Sequence, residues 1–122
     1  MSAIHERRYR LQREREIAQA RVRETTTQYL ERYQNNLNQL DEQGLTPYVE
    51  TEVTQIIRLL TQMQSLLRTD AFAARELSLT IGQRIYGLRT LARNNQQIET
   101  ENQRLEALEK QRQLVEKRRQ EH

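Results

Sequence analysis

Cysteine and tryptophan are absent from this 122-residue chain, and phenylalanine and proline occur once each, at Phe72 and Pro47. Without cysteine there are no disulfides and no thiolate metal sites, a composition that suits a reducing compartment. Three glycines, at 44, 82 and 87, are the remaining breakers, so long stretches contain nothing to interrupt a helix. Scattered in this way, they form no Gly-rich phosphate loop. His5 and His122 stand at opposite ends with no neighbouring ligand set for zinc. The few serines have no histidine near them in a folded stretch, which leaves no nucleophile and base to pair. Glutamates are numerous, but they are spaced as solvated helix faces and intrahelical pairs such as Glu106–Lys110. No catalytic, cofactor or metal site is expected, and the chain reads as a non-enzyme. No run approaches the roughly 18–20 apolar residues of a membrane span. Met1–Arg8 carries no apolar core of signal-peptide length. A soluble, cytoplasmic protein is expected.

What is present is Arg, Glu, Gln, Leu and Ala, the composition of long helices and coiled coils. Only 35% of residues are apolar, enough for a narrow seam between helices rather than a thick core. In the first part of the chain Val22, Thr26, Tyr29, Tyr33, Leu37 and Leu40 recur at gaps of three and four, one stripe of a helix expected over about 2–43. Upstream the stripe thins to Ile4, Leu11 and Ala18, spaced by seven. Gly44 supplies a left-handed helix stop and places Leu45 against Leu40. Thr46 as N-cap and Pro47 at the first helical position then start a second helix, so the chain reverses at 43–47. From there Val49, Val53, Ile56, Leu60, Met63 and Leu67 alternate by four and three. Ile57, Leu59 and Leu66 widen that face, as contact with two neighbours requires.

At Arg68–Ala71 the pattern is ambiguous. Thr69 or Asp70 can cap a new helix, yet neither glycine nor proline forces a break. Two all-α architectures follow. With a break, helices 22–43, 47–68 and 71–92 form an elongated up-down-up bundle whose chain ends leave from opposite poles. Without one, the chain is a long antiparallel coiled-coil hairpin in which Leu37 lies level with Val53, Tyr33 with Ile57, Leu11 with Leu79 and Ile4 with Ile85. In either case residues 1–92 mostly satisfy one another, and 93–122 extend beyond them as a C-terminal coiled-coil helix.

That extension carries the main functional expectation. Leu77, Ile81, Arg84, Leu88, Leu91, Asn95, Ile98, Asn102 and Leu105 alternate by four and three. With Leu91, Ile98 and Leu105 at d, Asn95 and Asn102 fall at a, where a buried amide fixes register and strand number. The partner interface is therefore expected at Leu77, Ile81, Leu88, Leu91, Asn95, Ile98, Asn102 and Leu105. A solvated helix face is the competing reading. A parallel homodimer would set Glu101 opposite Glu106, a like-charge contact that favours a different partner chain. After Leu105 the stripe shifts to Leu108, Arg112 and Val115.

Gly82 and Gly87 within this pattern signal either close approach of another helix or a local bend, with Tyr86 exposed beside them; a weak helix near a boundary explains them equally. The first 24 residues hold seven arginines against four glutamates, the whole of the net +3. Arg7, Arg8, Arg10, Arg13 and Arg15 are the candidates for an anionic partner, including nucleic acid. The interleaved Glu6, Glu14, Glu16 and Glu24 fit a salt-bridged helix face instead. Basic zipper factors are excluded, because Leu79–Leu91, where their DNA-contacting run would lie, is apolar. An unequal hairpin rich in Arg, Gln and Glu resembles, in shape and composition, the export-apparatus stalk proteins of flagellar and type III secretion systems; the resemblance implies a stalk or adaptor docking on a larger machine. The leading expectation is a scaffold that forms homo-oligomers, dimers above all, or binds a partner helix of another protein.

Overall fold

The computed structural model describes residues 3–121. Ser2, where the first helix is expected to begin, and His122 lie outside the described residues. Among those described, four α-helices and one 3-10 turn account for nearly the whole chain. Helix α1 spans Ala3–Glu42, a 3-10 turn Thr46–Tyr48, α2 Glu50–Thr69, α3 Ala71–Ile85 and α4 Leu88–Gln120.

Helix α1 stops where the glycine dictates. Gly44 has φ +72. The Leu45 N–H donates to the Leu40 carbonyl at 3.1 Å, and the Gly44 N–H to that of Asp41 at 2.9 Å. These two bonds define a Schellman cap, and its apolar contact is present, with Leu40 and Leu45 both buried. The next step differs from expectation. Thr46 gives no side-chain cap, and Pro47 lies in the 3-10 turn rather than opening α2. The tight turn uses Pro47 where no N–H is needed and delays α2 to Glu50.

Asp70 decides the architecture in favour of the bundle. Its backbone is extended (φ −151), and its Oδ1 accepts a hydrogen bond from the Ala73 N–H at 3.1 Å. A single capped residue thus turns the chain without glycine or proline. The outer half of a hairpin cannot then form: Leu11 and Leu79 are both exposed, as are Ile4 and Ile57. Instead α2 runs antiparallel to α1, and α3 returns parallel to α1 and packs against both. Leu59 and Leu66 are covered at the edge of this core, as a bundle requires; Ile57 is not.

Small residues let α3 fit there. Ala71, Ala74 and Ser78 are buried on one face, and Gly82 lies one turn further along it. A Cβ on Gly82 would lie 2.7 Å from the Tyr33 hydroxyl. That hydroxyl donates to the Ser78 carbonyl at 2.9 Å, tying α1 to α3. At the opposite pole Arg23 Nε donates to the Leu67 carbonyl at 2.7 Å, a cation on the negative end of α2. The apolar centre is Ile56, Met63 and Ile81, each at most 1% exposed. Burial of each is worth about 1.5–3 kcal/mol.

Helix α3 ends at Ile85. Tyr86 is extended and Gly87 left-handed at φ +78, so a bend divides the expected 71–92 helix and its heptad seam. The first turns of α4 still belong to the bundle: Leu88 and Ala92 join the buried cluster of Leu40, Leu45 and Val49. Asn95 Nδ2 then donates to the Tyr48 carbonyl at 2.8 Å. Past Gln96 every described residue of α4 is exposed, and so is nearly all of α1 before Val22. These two segments are helical arms leaving opposite poles. At about 1.5 Å per residue, residues 3–21 extend roughly 28 Å and residues 97–120 roughly 36 Å.

Candidate functional site

Three surfaces are left open by this packing: the α4 arm, the α1 arm, and a groove between α1 and α3. The eight residues expected to form a partner seam do not share one surface. Ile81 and Leu88 are 0% and 5% exposed inside the chain's own core, and Leu77 packs against it. Asn95 is engaged with Tyr48. The bend at Gly87 is the physical reason, because it ends the continuous helix on which the heptad depends. Leu91, Ile98, Asn102 and Leu105 lie outside; the three apolar ones are 40%, 59% and 51% exposed. Leu108, Leu114 and Val115 continue the exposed apolar series toward the end of the arm.

The α1 arm carries Ile4 and Leu11 at seven-residue spacing, both exposed, among Arg7, Arg8, Arg10, Arg13 and Arg15. The salt-bridged face expected there is not formed. Among the described residues the ion pairs are Arg104–Glu101 at 2.6 Å and Arg112–Glu109 at 3.3 Å, both on α4. Glu106 and Lys110 are not paired within this distance either. The arginines of the α1 arm therefore keep their donors for water or for a partner.

The groove is the surface the sequence reading missed. Val22, Thr25, Tyr29, Tyr33 and Leu79 line a depression of about 430 Å³, with Arg21 and Arg75. A second depression of about 500 Å³ shares Tyr33 and Leu79 and reaches Gly82 and Tyr86. Tyr29 and Tyr33 have ring centroids 6.2 Å apart, and the Arg32 guanidinium sits 5.3 Å from the Tyr29 centroid, within cation–π range. Burial raises the Tyr33 pKa above its ordinary value, Tyr29 adds to the effect, and Arg32 opposes it. At this site Tyr33 is a neutral hydrogen-bond donor. Ala71, Ala74, Ser78 and Gly82, spaced by three and four, were the available signal for a closely packed α3.

Among the described residues no group of three or more His, Asp or Glu is placed to hold a metal ion. No described helix is long and apolar enough to cross a membrane. Comparison with protein-family models, with curated proteins and with solved structures finds no match for the chain.

Proposed function

We propose that this chain is a non-enzymatic helical scaffold: a short three-helix bundle that holds two arms at opposite poles and associates, through its α4 arm, with a second copy or with the helix of a partner protein. The observation that carries this reading is the exposed series Leu91, Ile98 and Leu105 on a helix whose every described residue past Gln96 is exposed. The ion pairs of that arm are exposed to solvent and add little to its stability. Burying Ile98 and Leu105 against another helix adds about 1.5–3 kcal/mol per side chain, the largest gain open to this segment.

Light scattering on the full chain tests the reading. A mass above the 14.7 kDa of one chain is expected, falling to one chain in Ile98→Asp/Leu105→Asp with helicity retained. A wild-type chain that stays monomeric at high concentration would sink self-association and leave only a foreign helix as partner.

A second reading, a stalk or adaptor docking through the basic α1 arm, draws support from the arginines there that lack ion pairs. It predicts salt-sensitive binding to an acidic partner, lost on reversing Arg7, Arg8 and Arg10. Random duplex or single-stranded nucleic acid, tested at low salt, decides whether that partner can be a polyphosphate.

A further inference from the structure

Resting on the scaffold reading, we infer that the α4 arm of one copy pairs with the α1 arm of another, in parallel, so that copies join head to tail. The two arms leave opposite poles, which prevents them from meeting within one chain. Helix α1 enters the bundle at the Asp70 pole, and α4 leaves it at the Gly44 pole. Stacking one copy above another therefore lays the two arms side by side with the same polarity.

Charge selects this pairing over α4 with α4. Residues 3–15 hold five arginines and two glutamates, and residues 97–109, which face them in the register below, hold four glutamates and one arginine. An excess of three positive charges thus meets an excess of three negative ones. Seven-residue spacing sets the register: Ile4 lies level with Ile98, and Leu11 with Leu105. In that alignment Arg7 at g faces Glu106 at e, and Glu101 faces Gln12. Pairing α4 with itself sets Glu101 against Glu106, a like-charge contact that the α1 arm removes. Among the described residues neither Arg7 nor Glu106 is paired within its own chain. The interface is heterologous, so each copy leaves one arm free and assemblies lengthen with concentration unless they close into a ring.

Two full-length variants isolate the contact. Ile4→Asp/Leu11→Asp blocks the α1 arm, and Ile98→Asp/Leu105→Asp blocks the α4 arm. All four positions are at least half exposed, and an unchanged melting curve of the bundle confirms folding. Light scattering of the wild type should show mass rising with concentration. Each variant alone should remain monomeric, and their equimolar mixture should form a complex of two chains and stop there. Arg7→Glu and Glu106→Arg should each weaken association about five-fold, and the exchanged pair should restore it. Association of the α1-blocked variant alone would overturn the head-to-tail pairing and leave the scaffold reading standing. A mixture that stays monomeric would overturn the pairing as well. A monomeric wild type would overturn self-association along with it.

Discussion

Replacing Gly82 with alanine probes the contact on which α3 depends, and its sign is set by a single oxygen atom. In a helix interior alanine is favoured over glycine by about 1 kcal/mol. Here the new Cβ would sit 2.7 Å from the Tyr33 hydroxyl, which is held by its bond to the Ser78 carbonyl. Moving the ring forfeits that bond, worth about 0.5–1.5 kcal/mol. Overpacking adds about 1–3 kcal/mol. Gly82→Ala should therefore destabilise the bundle by about 1–3 kcal/mol despite its better helix propensity. In a Tyr33→Phe chain the oxygen is gone and the nearest atom to the Cβ is ring carbon Cζ at 3.5 Å, an ordinary contact. There the same substitution should stabilise by about 0.5–1 kcal/mol. Urea unfolding followed by circular dichroism, with Ile98→Asp/Leu105→Asp present to suppress association, measures all four corners of the cycle. A stabilising Gly82→Ala in the Tyr33 background would refute the close approach.

Asp70→Ala removes the cap that turns α2 into α3 and should cost about 1 kcal/mol, read from the same unfolding curves. Gly87→Ala places a Cβ at φ +78 in open space; the cost is backbone strain alone, about 1–2 kcal/mol, and Gly87→Asn should recover part of it. The pKa of Tyr33 is raised in the folded state, by burial first. Its contribution to stability is therefore complete below about pH 10 and is lost as pH rises through the elevated value. Tyr33→Phe should remove that component of alkaline destabilisation in a pH series of melts.

The reversal at Gly44 was legible because its signals are local: a glycine free to be left-handed, a leucine on each side, a proline just beyond. The break at Asp70 was only half legible. A capping aspartate offers a turn without compelling one, and the choice belongs to the packing of Ala71, Ala74 and Ser78 between α1 and α2. Those residues escape a search for large apolar side chains, since their role is to be small. The seam from Leu77 to Leu105 shows the opposite failure. Its spacing is uniform, but spacing has meaning only along one unbroken helix, and Gly87 ends that helix. Of the candidate interface, Leu91, Ile98, Asn102 and Leu105 remain available to a partner, and Leu77, Ile81, Leu88 and Asn95 hold α3 and α4 to the bundle. The groove beside Tyr29 was hidden for another reason: it arises from α1 and α3 lying parallel, a relation between segments nearly fifty residues apart.

The opposite placement of the arms also determines how the molecule would carry force. A pull applied through the α1 arm at one pole and the α4 arm at the other acts on α1 directly and on α3 through the bend at Gly87. It drives α1 and α3, which are parallel, past each other lengthwise. Resistance then comes from the whole α1–α3 seam at once, including the Tyr33–Ser78 bond across it, rather than from one end peeling open. Helix α2 lies beside that load path and braces it without being the first element stretched. As a link in a string of copies, the bundle would behave as a stiff joint loaded in shear.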